Sequence, residues 1–187
     1  MFQCRGMPMR SPWPARLSAS PRVPPRQPRL DRIDLRILAH LQKNGRVTNV
    51  SLADAVGLSA SPCLMRVKRL EKAGYILGYG AHIHLQKLGS VLTIFTEITL
   101  ADHRSGDFAR FETAIGKVEE VIECYQVSGG YDYLLKFVAR SIPDYRETME
   151  RVLMSEIGIE KYFSYIVMKS VFAKQHLPLE RLYGAED

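Results

Sequence analysis

The sequence predicts an α+β protein in two parts, three short helices followed by strand, helix, strand, strand, helix and strand, and three observations predict it. Apolar residues recur at spacings of three and four up to Gly74 and at short, alternating spacings beyond it. Glycine falls where each early helix has to stop, at Gly45, Gly57 and Gly74. Charge divides at a similar place: residues 31–90 carry nine Lys/Arg against four Asp/Glu, and residues 91–187 carry eleven against sixteen. A basic first half beside an acidic second half suits a chain of which one part meets a polyanion and the other does not.

A chain of 187 residues, 46% hydrophobic and 25% charged, is long enough for one or two domains with real cores. It contains no apolar run of membrane-spanning length and no apolar block of a secretory signal near its start, so a cytoplasmic location is expected. Cys4, Cys63 and Cys124 are odd in number, far apart and without a C-x-x-C pair, which argues against a disulfide framework and a zinc site and for reduced thiols. Residues 1–29 hold six arginines, no acid and seven of the ten prolines. They bury too little to offset their chain entropy and are expected as a disordered basic tail, or as an upstream extension with Met7 or Met9 as other starts.

Each element then follows in order. Leu30, Ile33, Ile37, Leu38 and Leu41 mark a first helix over about residues 31 to 44, with Asp31 as cap. A second, short helix has Asn49 or Ser51 as cap, Leu52, Ala53 and Val56 inward, and a tight corner at residues 57–59. The third has Ser61 as cap, Pro62 at its first position and Leu64, Val67 and Leu70 as its apolar stripe. "YILGYGAHIHL" reads as a strand or wing leading into a linker, residues 81–90. In the second part "VLTIFTEITL" is a strand, "DFARFETAIGKV" a helix, "VIECYQV" and "YLLKFVA" strands around the turn "SGGYD", "SIPDYRETMERVLMSEIG" a helix and "EKYFSYIVMKSVF" a strand. The expected architecture is a winged helix-turn-helix domain over residues 30–80 and a ferredoxin-like βαββαβ domain over 91–175, with a tail at 176–187.

Chemistry concentrates in "SASPCLMRVKRLEKAG", residues 59–74. Cys63 lies near a helix start among cations but lacks a His or acid placed to complete a dyad, so a nucleophile is disfavoured. The apolar stripe is too narrow for a membrane-surface helix. What remains is a cationic face of Arg66, Lys68, Arg69 and Lys72 on the last helix of a helix-turn-helix, the element that enters the major groove of duplex DNA. A merely solvated basic face is the competing reading. His82 and His84 could share a metal on one strand face, but no third ligand follows at suitable spacing. Tyr125, Tyr133, Tyr162, Phe163 and Tyr165 are expected to pack in the sheet.

The stretch from Leu30 to Tyr79, followed by "VSGGYDYLLK", resembles the Lrp/AsnC family of transcription regulators over about residues 30 to 174. The resemblance implies an amino-acid-responsive, DNA-binding regulator of amino-acid metabolism genes that catalyses nothing. It also implies a dimer paired through its sheets that assembles further, an octamer included. Carried over, it places Asn49, Ser59, Ser61, Pro62, Arg66, Lys68 and Arg69 at DNA and Ser128, Gly129, Gly130, Tyr131 and Asp132 at the effector. Met65 stands where some relatives have an acid, and Gly129-Gly130 where many have Gly-Asp. A tetrapyrrole-modifying enzyme on the same architecture and an amino-acid-sensing subunit of a partner enzyme are the rival readings.

Overall fold

The computed structural model describes residues 29–174 and 176–184, so the expected tail at residues 1–29 lies, but for Arg29, outside the described residues. The described residues divide into two compact units, one of residues 29–81 with those from 172 on and one of residues 82–171.

In the first unit α1 (Arg32–Lys43) starts at Asp31, whose carboxylate accepts the Asp34 N–H at 2.8 Å while the Asp34 carboxylate accepts the Asp31 N–H at 3.1 Å. This reciprocal cap satisfies two of the donors that a helix start leaves without partners. The next helix, α2 (Asn49–Val56), is capped by the hydroxyl of Thr48 and not by Asn49 or Ser51. Asn49 is drawn elsewhere, its side-chain amide donating to the Ala60 carbonyl at 2.8 Å. Gly57, at φ 74°, lets the Leu58 N–H return to the Ala53 carbonyl and turns the chain sharply. The third helix, α3 (Ala60–Lys72), begins two residues earlier than expected, with Ser59 at its cap and Pro62 third in the helix. Gly74, at φ 77°, closes it through the Tyr75 N–H to the Leu70 carbonyl.

Ile37, Leu52, Ala53, Val56, Cys63 and Leu70 form the core of this unit, with Leu30, Ile33, Leu38, Leu41 and Val67 around them. Burying a side chain such as Ile37, which has no exposed surface, contributes about 1.5–3 kcal/mol. The buried stripe of α3 runs through Cys63 and Leu70, whereas Leu64, expected inside, is exposed. Cys63, four residues before Val67 and seven before Leu70, completes the inner stripe, and Leu64 is turned away from it by one helical step.

Two further expectations differ. Residues 75–84, expected as a strand or wing, form no strand; Gly78 and Gly80 interrupt the run, and a lone strand has no partner for its N–H groups. The expected C-terminal tail is ordered over much of its length: α6 (Leu179–Tyr183) packs on α1, and the Gln42 side chain pairs with both main-chain groups of Leu177 at 3.0 and 3.4 Å.

The second unit is a four-stranded antiparallel sheet, order β2-β3-β1-β4, with two helices on one face. Its elements are β1 (Leu92–Leu100), α4 (Ser105–Ile115), β2 (Val121–Gln126), β3 (Tyr133–Ala139), α5 (Ile142–Met154) and β4 (Ile159–Ile166). Strict alternation puts Ile94, Thr96, Ile98 and Leu100 of β1 and Tyr133, Leu135, Phe137 and Ala139 of β3 on the helix side. There they meet Phe111, Ile115, Tyr145, Met149 and Val152. Polar links cross this layer as well: the Tyr145 hydroxyl lies 2.8 Å from the buried Thr96 hydroxyl and is also bonded to Ser164.

Candidate functional site

The first candidate surface is α3. Asn49 fixes its first turn to α2, and Cys63, Val67 and Leu70 fix which side is inward. Ser59, Ser61 and Pro62 at its N-terminal end and Lys68 further along are all exposed. The same outer face carries Leu64 and Met65, 41% and 67% exposed. An N-terminal helix turn of this kind offers hydroxyls and free N–H groups to a phosphate, with Lys68 as a flexible cation beside them.

The two arginines behave differently from Lys68. Arg66 extends over the start of α1, its Nη1 lying 2.6 Å from Asp31 Oδ2 and 2.8 Å from Asp34 Oδ1. Arg69 bonds the other oxygen of Asp34 through its Nη2. Asp34 has no exposed surface and is held by both cations and by the Asp31 N–H. Burial draws the Asp31 carboxyl upward, but the Asp34 N–H and the Arg66 guanidinium outweigh it and hold Asp31 below the usual carboxylate range. The same two carboxylates raise the Arg66 guanidinium further above its ordinary value. Arg66 and Arg69 were expected to project outward; instead both reach sideways to α1, because a buried Asp34 requires a cation and these are the ones within reach. With Arg66 and Arg69 27% and 46% exposed, this hold contributes about 1–2 kcal/mol, comparable to the about 1–3 kcal/mol of a bidentate arginine contact to guanine. Both guanidinium groups are thus already engaged within the domain. Cys63 lies buried in the core beside them, and burial raises its thiol, with Arg66 pulling it down by less. A raised thiol is the opposite of an activated nucleophile.

The second candidate is the turn between β2 and β3. Ser128, Gly129 and Gly130 are exposed and Tyr131 is half-buried. Gly129 sits at φ 145°, a backbone region closed to side chains in practice. Asp132 is not a loose anion: Oδ2 accepts the Leu100 N–H at 2.8 Å, and Oδ1 lies 3.0 Å from His103 Nε2. Its own N–H donates to the Ile98 carbonyl, and its carbonyl accepts the Val127 N–H. Of the two roles open to Asp132, binding an amino group or ordering the loop, this geometry displays the second: the carboxylate pins the turn to the end of β1. His103, packed against Phe108 at 5.9 Å between ring centroids, joins the site although nothing in the sequence pattern singles it out.

The third feature is the sheet face away from the helices. Cross-strand partners share a face, which places Phe95, Glu97, Leu134, Tyr125, Phe163 and Tyr165 together there. Tyr125, Phe163 and Tyr165 are each more than half exposed. Of the five aromatics expected to pack within the sheet, Tyr133 alone is fully buried, its hydroxyl donating to Glu112; the other four are exposed. His82 and His84 are exposed on the strandless segment, and among the described residues no three metal-ligating side chains come together.

A helix-turn-helix with an uncovered third helix, joined to a ferredoxin-like sheet with a pinned glycine turn, defines a two-domain regulator, one part for DNA and one for a small ligand. Comparison with known proteins gives the family. Residues 30–76 match the winged helix-turn-helix DNA-binding model, and residues 93–177 match the Lrp/AsnC ligand-binding domain. The chain is 48% identical over 143 residues to the transcriptional regulatory protein DoeX of Halomonas elongata, covering 76% of this chain and 90% of that one. It is 43% identical over 151 residues to the leucine-responsive regulatory protein of Escherichia coli K12, covering 81% and 92%. Among solved structures it is similar to an L-Met complex of a transcriptional regulator from Neisseria meningitidis, with TM-score 0.75, 33% identity and coverage of 82% of this chain and 99% of that chain. An AsnC family regulator from Agrobacterium tumefaciens gives TM-score 0.76 at 32% identity, with the same two coverages. The chain belongs to the Lrp/AsnC family of transcription regulators. No helix among the described residues is long and apolar enough to cross a membrane.

Proposed function

We propose that this regulator binds duplex DNA through α3 and is modulated by an amino acid held at the Ser128–Asp132 turn. The observation that carries the first half is the division of α3 into a buried side, through Cys63, Val67 and Leu70, and an uncovered side that presents Ser61 and Lys68 at the same end of one domain. Asn49, Ser59 and Pro62 serve that surface by setting where α3 begins. Arg66 and Arg69 serve it by holding α3 to α1, with Arg69, nearly half exposed, still able to approach a phosphate. The positive balance of residues 31–90 supports the same reading, since cations on one domain draw it to a polyanion.

The second half is supported by the L-Met in the complex of the Neisseria relative and by the name of the leucine-responsive relative. On this chain the exposed backbone of Ser128, Gly129 and Gly130 is suited to a ligand carboxylate, with Tyr131 beside it. Asp132 and His103 keep the turn in place. The exposed aromatics Tyr125, Phe163 and Tyr165 on the open sheet face support pairing of two copies face to face, with further assembly of dimers up to an octamer. The ligand is an effector, with no cofactor and no catalysed reaction, and the site of action is the cytoplasm, where amino acids and chromosomal DNA are both present. Thermal-shift screening against the twenty amino acids tests the ligand: a true effector raises the melting temperature in proportion to log concentration. No shift from any of them would refute the amino-acid reading.

A further inference from the structure

Resting on the DNA-binding reading above, we propose that base reading by α3 is apolar: Met65, flanked by Leu64, recognises the 5-methyl group of thymine in the major groove, while the helix's arginines serve as structure. Ser61, Leu64, Met65, Lys68 and Lys72 fall at steps of three and four along one side of α3, and all are exposed. They form one continuous stripe. Cations occupy the C-terminal half of that stripe, and a hydroxyl and two large apolar side chains occupy the N-terminal half. The N-terminal half of a recognition helix is the part that faces base edges.

Two independent facts assign the occupant. Met65 is 67% exposed on the N-terminal half of this stripe with Leu64 next to it, and Lys68 and Lys72 continue the same stripe, so a surface that covers the whole stripe is anionic and apolar at once. The major groove at a thymine is such a surface, with a methyl group between two phosphate backbones. The arginines, which would read guanine, are engaged: Arg66 with Asp31 and Asp34, Arg69 with Asp34. A thioether on an unbranched chain adapts its shape to a methyl group at low cost.

The test uses the full-length chain. Duplexes are first selected from a random pool, and each thymine of the selected site is then replaced singly by uracil, which removes the methyl and nothing else. One or two positions per half-site should weaken binding by about fourfold each, the worth of one buried methyl. Met65→Ala, at an exposed position, should fold as the wild type does and bind thymine and uracil duplexes equally at those positions. If uracil is neutral throughout, or if Met65→Ala remains as sensitive as the wild type, the inference is overturned. It is equally overturned if the selected site is fixed by guanines whose preference disappears in Arg66→Lys. Failure to select any duplex, together with no salt-sensitive binding, would instead remove the DNA-binding reading and this inference with it.

Discussion

Replacing Asp34 by alanine should loosen the helical unit and leave the sheet untouched. Asp34 has no exposed surface and accepts from Arg66, Arg69 and the Asp31 N–H, so its removal breaks the ion cluster and one of the two bonds of the reciprocal cap of α1. Loss of the hydrogen bond from the Asp31 N–H contributes about 1 kcal/mol. The ion cluster contributes less than the 3–5 kcal/mol of a fully buried broken pair, because the arginines, 27% and 46% exposed, can return to water; about 1–2 kcal/mol is the discounted figure. The sum, about 2–3 kcal/mol, corresponds to an increase of about 30- to 160-fold in the opening constant of α1 and α3. Native-state hydrogen exchange reads this directly. Amides of α1 and α3 should lose that protection, while those of β1 and β3 keep theirs. Asp34→Asn, which retains an acceptor for the Asp31 N–H, should fall between the wild type and Asp34→Ala. Unchanged exchange in α1 would refute the reasoning, since it would mean that the three bonds to Asp34 contribute nothing to the stability of the helix pair.

Further outcomes follow from the other networks. Tyr145→Phe leaves the buried Thr96 hydroxyl without a partner and should destabilise the sheet domain by about 1–3 kcal/mol, seen as a lower urea midpoint. Asp132→Ala removes the anchor between the turn and β1 and should abolish the thermal shift given by the effector while leaving DNA affinity within about twofold of wild type. Gly129→Ala should act in the same direction, because φ 145° strains any side chain by about 1–3 kcal/mol. Acid should weaken the fold through Asp31, Glu120 and Glu123, all lowered in the folded protein: Asp31 by its N-terminal hydrogen bonds and Arg66 against the opposing pull of burial, Glu120 by its backbone hydrogen bond and then Arg151, Glu123 by Lys136. A lowered carboxylate stabilises above its unfolded value and loses that contribution as pH falls through the folded one. The melting temperature should therefore hold above about pH 4.5 and decline below it; a flat profile down to pH 3 would contradict the assignment.

Much of the fold could be read from the sequence, because it is written in local rules. Ile37, Leu52 and Val56 announce their faces through helical spacing, and β1 and β3 through strict alternation. Glycine at positions 57 and 74 marks turns that need a positive φ. What could not be read was decided by partners distant in sequence. Asp34 looks like an ordinary first-turn acid, and only the fold brings Arg66 and Arg69, more than thirty residues away, onto it. The sole trace in the sequence is the Asp-x-x-Asp spacing of a reciprocal cap, which fixes the helix start but not its cations. His103 carries no pattern at all; it meets Asp132 because β1 and β3 are paired, so that both sit at one end of the sheet. Leu64 was misplaced because both it and Cys63 fit a stripe with Val67 and Leu70, at three and at four residues, and a single helical step exchanges an inner side chain for an outer one. The docking of α6 on α1 was equally hidden, since five residues of helix show no periodicity long enough to read.

The central claim, that α3 of this chain reads duplex DNA, is tested most directly by equilibrium binding of the full-length protein to DNA upstream of its own gene and to a scrambled duplex, across a salt series. The account predicts that the upstream duplex binds more tightly by about 10³-fold or more and that log affinity falls linearly with log salt, as phosphate contacts release counterions. Equal affinity for the two duplexes, or affinity indifferent to salt, would contradict it.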